Sequence, residues 1–190
     1  MLSYRKLAMR VLGRPLHTGG SDSPRPASQR AAALVLTAAM LTTFTAPAFA
    51  KTWYIEDGDI TISASETKGT NKVSQGAEPE VEDTGTIITN REKDASSHTV
   101  TINAGNDKVE VTLDNVNINV GSDSGSALTS NGDVTLTLKG DNSLTGGNGG
   151  SGISSNGSLT ISGGEKDSLT AQGGSGRSGI FSSGLSLIHI

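Results

Sequence analysis

Residues 126–132 read SALTSNG, and the same pattern returns as SGISSNG at residues 151–157 and as SGIFSSG at residues 178–184. The three starting points lie 25 and then 27 residues apart. The last two copies follow a glycine-rich frame, and 17 of the 25 glycines lie between Gly121 and Gly184. A pattern that recurs at such a period is typical of repeat proteins, in which each unit buries its apolar side against the next.

Each repeat contains three short apolar segments separated by Gly, Asn, Asp and Ser. After the seven-residue block comes an alternating segment such as residues 134–138 (VTLTL), and residues 142–145 (NSLT), which we align with 167–170 (DSLT), close the unit. Alternation predicts strands whose apolar side chains point inward, here Val134, Leu136 and Leu138. No stretch has helical periodicity, so we predict an all-β parallel β-helix, a solenoid with coils of about 25–27 residues.

Residues upstream of the repeat alternate in the same way at 100–102, 109–113 and 116–120, and we therefore place the β-helix repeats at 99–184. Beyond residue 50 the only aromatic residues are Trp53, Tyr54 and Phe181. A narrow aliphatic interior needs no large rings, whereas a β-sandwich core usually contains one. The composition thus favours the solenoid.

The segments on either side of the repeats are less regular. Residues 51–98 contain two predicted strands, at 59–63 and 86–89, separated by a charged loop around 78–83, and we expect an N-terminal β cap with irregular coils. Residues 185–190 break the phase of the repeat and form a doubtful tail. Because an uncapped coil exposes a strand edge, we expect a chain truncated at its carboxyl end.

The first 50 residues have the organisation of a secretory signal peptide. A basic segment precedes the apolar run at 31–41, and Ala48-Phe49-Ala50 forms an A-x-A cleavage site before Lys51. The basic segment is long, and Met9 is an alternative start. The apolar run is shorter than the roughly 20 residues that cross a bilayer, so we expect cleavage, no membrane span afterwards, and a secreted or cell-surface protein.

Composition and charge exclude several classes of protein. The chain has no Cys, and so no disulfide framework, Cys-ligated metal or thiol nucleophile. The net charge of −4 hides an asymmetry, because residues 51–190 contain 9 basic and 18 acidic residues, a net charge of −9. So acidic a body repels phosphate backbones, and we expect no nucleic-acid partner.

Residues 134–144 (VTLTLKGDNSL), followed by the glycine-rich Ser151-Gly152-Ile153, resemble the repeats of secreted bacterial carbohydrate-binding domain-containing proteins. The resemblance covers residues 100–184 well and 51–99 loosely. It implies a right-handed parallel β-helix of the pectate-lyase-like class. It also implies a polysaccharide partner, such as an acidic or plant cell-wall glycan, and calcium as a candidate cofactor. A shared scaffold does not by itself define a function.

Polar residues on the outward side of the predicted strands are the candidate carbohydrate site. Hydroxyl and amide groups at regular spacing can hydrogen-bond to sugars. The candidates are Thr112, Asp114, Asn117, Asn119, Thr135, Thr137 and Lys139. The alternative is that these side chains form the ordinary solvent face of a strand.

Aspartates in or beside predicted turns are the candidate calcium ligands, because hard cations take oxygen ligands. The candidates are Asp114, Asp133 and Asp141. No D-x-D-x-D-G loop is present, and turns also favour Asp for backbone reasons, so a structural role is the alternative. Asn142, aligned with Asp167, predicts a polar ladder between stacked coils.

The sequence gives little support for catalysis, and we expect a protein that is not an enzyme. A glycosidase needs two facing carboxylates, and no such pair recurs in the strand cores. The leading hypothesis is an exported, non-catalytic polysaccharide-binding module at the bacterial cell surface. A structural stalk or adhesin segment is the alternative, and a fragment of a polysaccharide lyase is the third reading.

Overall fold

A computed structural model describes residues 50–184 and 186–190 of the chain. Apart from Ala50, the predicted signal peptide lies outside the described residues. The described part is nearly all β, with one short 3₁₀ turn at Ile55–Asp57 and no α-helix. The strands are β1 (Thr52–Tyr54), β2 (Ile60–Ala64), β3 (Asn71–Gln75), β4 (Val81–Asp83), β5 (Ile87–Thr89), β6 (Val100–Asp114), β7 (Asn117–Asn119), β8 (Leu128–Lys139), β9 (Asp141–Thr145), β10 (Ile153–Asn156), β11 (Leu159–Ser162), β12 (Ser168–Gln172), β13 (Ile180–Ser182) and β14 (Ser186–His189).

The strands stack in parallel into a β-solenoid of about four turns, which confirms the predicted fold class. Each coil passes three faces in order. Face A contains β2, the first halves of β6 and β8, then β10 and β13. Face B contains β1, β5, the second halves of β6 and β8, then β11 and β14. Face C contains β7, β9 and β12.

The register on faces A and B is the one that the repeat predicts. Leu128 pairs with Ile153, and Ile153 pairs with Ile180, which reproduces the steps of 25 and 27 residues. Long strands β6 and β8 turn the corner from face A to face B without ending. Gly132, with φ of +87°, occupies that corner in β8, a backbone conformation that L side chains rarely adopt.

Aliphatic ladders fill the interior. Val134 and Leu136 are fully buried and Leu138 is 1% exposed, as the alternation predicts. Leu136 pairs with Val111 on one side and with Ile161 on the other, so that each coil covers the apolar row of its neighbour. This stacking removes from water the apolar face that a single coil would leave exposed.

The third strand of each repeat aligns differently from the sequence prediction. Leu169, and not Asp167, lies opposite Asn142, and Ala171 lies opposite Leu144. Thr137 pairs with Ser162 and Asp141 pairs with Ser168, so the later coil has two additional residues between these positions, which shifts the pairing by two. The predicted polar ladder between Asn142 and Asp167 is therefore wrong.

The N-terminal segment forms a coil of the solenoid and, in addition, two antiparallel strands outside that coil. β2 pairs in parallel with β6, β5 extends face B, and Ser96 bridges to Ile118 on face C. Between β2 and β5 in the chain, β3 and β4 extend face A. β3 pairs antiparallel with β2, and β4 pairs antiparallel with β3. The strands predicted at 59–63 and 86–89 are present, whereas the charged stretch predicted as a loop ends in β4.

The final segment continues the repeat where a break in phase was expected. Ser186–His189 forms β14, which pairs in parallel with β11, and Ile188 lies opposite Ile161 in the apolar row. Ile188 is 47% exposed, because its side chain is not covered by a further described strand. Within the described part, we find no helix with the length and apolar character needed to cross a membrane.

Candidate functional site

Face B brings together five of the seven residues predicted to bind sugars. Thr112 lies directly opposite Thr137, and Asp114 lies opposite Lys139 on the same pair of strands. Thr135 also points outward, between the inward Val134 and Leu136. Thr137 and Lys139 are exposed, and the other three are partly exposed. The result is a polar surface across two adjacent coils.

Asn117 and Asn119 lie elsewhere, on face C, around the corner from face B. The side-chain amide of Asn117 donates to the carbonyl oxygen of Lys93 at 3.0 Å. The Oδ1 atom of Asn119 accepts a hydrogen bond from the backbone of Gly121 at 3.0 Å. Both side chains therefore stabilise loops.

A groove of about 710 Å³ borders the outward side of face B. Its floor includes Glu110, Thr112 and Thr137, and the loop 65–70 between β2 and β3 forms one wall. Residues 84–87 also line the groove. The volume lies within the range of about 300–1,000 Å³ that small-molecule sites occupy. Two predicted sugar-binding residues, Thr112 and Thr137, thus line a concave surface.

Buried polar contacts hold the wall of this groove in place. Asn71, only 7% exposed, donates from its side-chain amide to Thr86 Oγ1 and to the carbonyl oxygen of Glu110, both at 2.9 Å. Ser65 donates to Glu82 Oε1 at 2.9 Å and accepts from the backbone of Thr67 at 3.1 Å. Such satisfied networks give the groove a defined shape without a bound partner.

The charged groups of the groove are mixed, with more acids than bases. Glu66, Asp107 and Glu110 face two ammonium groups, Lys68 and Lys108. Lys108 Nζ lies 2.8 Å from Glu110 Oε1. That hydrogen bond holds the pKa of Lys108 above its usual value, so this ammonium group keeps its proton at neutral pH. Among the described residues that line the groove, none is aromatic.

Of the three aspartates predicted to bind calcium, the structure places Asp133 apart from Asp114 and Asp141. Asp114 and Asp141 flank the corner between faces B and C, where Asp114 accepts from Asn115 and Asp141 accepts from Ser168, both at 2.7 Å. Asp133 lies in the middle of β8, beside the corner between faces A and B, and opposite Lys108. Among the residues that the structure describes, no three His, Asp or Glu side chains are grouped to hold a metal ion. Calcium binding stays a prediction.

The two arginines beyond residue 50 differ in their surroundings. Arg91 pairs with Asp57 through both guanidinium nitrogens at 2.6 Å and lies over the ring of Tyr54. The hydrogen bond to Asp57 holds the pKa of Arg91 above its already high value. A guanidinium in that state cannot accept a proton. Arg177 is exposed in a glycine-rich turn.

Sequence reasoning missed the groove itself. The loop 65–70 shows no repeat and no motif, and its wall forms only because Asn71 bonds to groups 15 and 39 residues away in the chain. The signal in the sequence was Asn71, a polar residue two positions before the buried Val73 and on the same side of β3. No family model matches the chain, and neither curated proteins nor solved structures include a match to it.

Proposed function

We propose that this chain is an exported, non-catalytic module that binds polysaccharide in the groove beside face B, at the bacterial cell surface. The observation that carries the proposal is the position of Thr112 and Thr137. Two hydroxyl-bearing side chains, predicted from the repeat, lie opposite each other on the floor of a concave polar surface.

The spacing of the groups suits a regular polymer. Neighbouring strands of a sheet lie ~4.8 Å apart, so the outward hydroxyls of Thr112 and Thr137 recur along the solenoid axis at that step. Ser162, opposite Thr137 in the next coil, continues the row beyond the groove. A sugar chain lying along this row could form successive hydrogen bonds with similar geometry.

The charge of the site favours a neutral glycan over an acidic one. Three carboxylates and two ammonium groups line the groove, and one ammonium group, that of Lys108, is paired with Glu110. Residues 51–190 as a whole carry a net charge of −9. A polyanion would meet repulsion from both the groove and the body.

The test is retention of the exported protein on neutral and acidic insoluble polysaccharides, with calcium and with chelator. A variant carrying Thr112→Val and Thr137→Val removes two hydroxyls while keeping the side-chain volume and the strand preference. We expect roughly 30-fold weaker binding to a neutral glycan, since each of the two lost hydrogen bonds contributes about 1 kcal/mol and 1.4 kcal/mol corresponds to a factor of ten.

Thr129→Val is the matched control, because Thr129 points outward on face A of the same strand β8, away from the groove lining. Its binding should equal that of the unsubstituted protein. Equal loss of binding in the control and the double variant would contradict the assignment to this groove. The chelator arm tests the predicted calcium dependence separately.

A structural stalk is the second candidate, and the outward asparagines favour it. On face A, Asn131 donates to Asn103 on the neighbouring coil at 2.9 Å, and on face C Asn117 and Asn119 bond to loops. Polar side chains that bond to each other would suit a spacer. A folded protein that binds no polysaccharide in the panel would favour this candidate.

A further inference from the structure

Lys51 is where the chain joins the solenoid. Its carbonyl oxygen accepts a hydrogen bond from the backbone of Ile87 at 3.3 Å. Its backbone nitrogen donates to Asp83 Oδ1 at 3.0 Å. Ala50, immediately before it, is exposed. Lys51 is therefore bonded on both sides of its backbone at the same point where the A-x-A site predicts cleavage.

Asp83 is a fully buried carboxylate with an unusual set of partners. Besides the nitrogen of Lys51, it accepts hydrogen bonds from Trp53 Nε1 at 2.8 Å and from the backbone of Gly85 at 3.3 Å. All three donors are neutral in the uncleaved chain. None of the ion pairs in the described part of the chain includes Asp83. Burial of a carboxylate is costly unless a cation pairs with it.

Trp53 forms a second connection between Asp83 and Lys51, because its indole contacts both residues. The indole is 3% exposed and lies in the inward row opposite Ile88. The Lys51 ammonium group lies 3.7 Å from the centre of the ring. The indole is thus held between the side chain of Lys51 and the carboxylate that bonds the backbone nitrogen of Lys51.

We propose that the Ala50–Lys51 bond is the processing site and that Asp83 binds the α-ammonium group which cleavage creates. An export peptidase adds water across the bond. The hydroxyl goes to the carbonyl carbon of Ala50, which becomes a carboxylate, and the nitrogen of Lys51 becomes an amine that is protonated at neutral pH. A hydrogen bond from a neutral amide to the Asp83 carboxylate is replaced by an ion pair, which supplies the cation that this buried carboxylate otherwise lacks.

Two independent features select the same bond. The A-x-A rule depends only on Ala48 and Ala50, whereas the contact with Asp83 depends on the fold of β1 and β4. Cleavage before Ala50 would leave the Lys51 nitrogen as a neutral amide opposite Asp83. Cleavage after Lys51 would remove Lys51, the partner of Asp83. Of the proposed function, the inference uses export alone and is independent of glycan binding.

The first test uses the full chain in an exporting bacterial host, with intact mass and N-terminal sequencing of the exported protein. We expect a chain that begins at Lys51. The second test is acylation of the α-amine near pH 7. A protonated amine does not react, so we expect acylation at least ~10-fold slower in the folded protein than in guanidinium, because tenfold corresponds to one unit in pKa.

Asp83→Asn should abolish this protection, whereas Asp114→Asn, on the exposed corner far along the chain, should preserve it. The comparison of folded with denatured protein needs no variant, and so remains valid if Asp83→Asn does not fold. A different first residue, or equal acylation in the folded and denatured states, would overturn the proposal. Loss of glycan binding alone would leave it standing, since neither test involves a glycan.

Discussion

Asn142 shows how a single side chain stabilises the turn between two faces of the solenoid. It is 2% exposed. Its Oδ1 atom accepts from the backbone of Val116 at 2.9 Å, in the preceding coil, and its amide donates to the carbonyl oxygen of Lys139 at 3.1 Å. One buried amide thus bonds to backbone groups of two coils, and it is the partner of the Val116 N–H, whereas the Lys139 carbonyl oxygen also accepts from the backbone of Asn115 at 2.9 Å.

Asn142→Ala should lower the free energy of unfolding by about 1–3 kcal/mol, because it leaves the N–H of buried Val116 without its hydrogen-bond partner. Chemical denaturation measures the change. Asn148→Ala is the control, since Asn148 is exposed and its side chain donates one hydrogen bond, to the carbonyl oxygen of Ser122. Equal losses for the two variants would contradict a special role for the buried amide.

Asp167 predicts an acid-sensitive turn. Backbone hydrogen bonds from Gly164 and then Gly140 hold the pKa of this carboxyl below its usual value. A carboxyl with a lowered pKa stabilises the folded state above its unfolded value, near 3.9, and loses that contribution as the pH falls through the folded value. The thermal midpoint of the unsubstituted protein should therefore exceed that of Asp167→Asn at pH 5–7.

The difference between the two proteins should shrink as the pH falls below about 4, because protonated Asp167 no longer differs in charge from Asn. Thermal melts from pH 7 to pH 2.5 measure it. A difference that stays constant over this range would show that the backbone hydrogen bonds do not depend on the charge of Asp167.

At the scale of elements, the glycine-rich turns between faces C and A allow coils to stack at close range. The backbone nitrogen of Gly147 donates to the carbonyl oxygen of Gly125 at 2.9 Å, and Gly174 donates to Gly150 at 2.8 Å. A Cβ atom built on Gly150 would overlap the carbonyl oxygen of Gly125. Glycine is required there by the neighbouring coil and not by its own backbone angles.

Gly149 and Gly150 lie in the same turn and distinguish the two reasons for a glycine, which are close contact with the neighbouring coil and an unusual backbone angle. Gly150→Ala should cost about 2–3 kcal/mol, because the backbone of the adjacent coil must move. Gly149→Ala should cost about 1 kcal/mol, since Gly149 has φ of +72° but no heavy atom within 4 Å of its Cβ position. Denaturation midpoints of both variants provide the comparison. A larger loss for Gly149→Ala would contradict the stacking explanation.

The pairing of β9 with β12 shows that the register of a strand can differ from the alignment of the repeated sequence. Residues 167–170 (DSLT) resemble residues 142–145 (NSLT) in sequence. In the structure, however, Asn142 pairs with Leu169, two positions after the residue that the sequence alignment predicts. The two additional loop residues before β12 decide the pairing, and hydrogen bonds from Gly140 and Gly164 to Asp167 fix the loop. Loop length, which letter matching ignores, determined the register.

At the scale of the whole molecule, stability is distributed along one axis. Each coil contacts only its neighbours, so the contribution of a coil depends on how many neighbours cover it. β8 pairs with β6 on one side and with β10 and β11 on the other. β14 pairs with β11, and all its residues are exposed.

Hydrogen exchange should therefore follow position along the axis. We expect backbone amides of β13 and β14 to exchange at least ~100-fold faster than those of β8, because the last described coil can open without disturbing the others. Mass spectrometry of peptides after proteolysis measures these rates. Uniform protection across all coils would indicate a single cooperative unit and contradict the prediction.

The repeat period, the parallel strands and the inward Val134, Leu136 and Leu138 were determined by the sequence alone, because alternation and periodicity are local properties of a chain. The tertiary structure alone decided the groove beside Thr112 and Thr137, the separation of Asn117 and Asn119 from them, and the contact of Asp83 with Lys51. Each of these depends on loops and contacts between residues far apart in sequence. Such contacts arise only when the coils stack, so no local pattern records them.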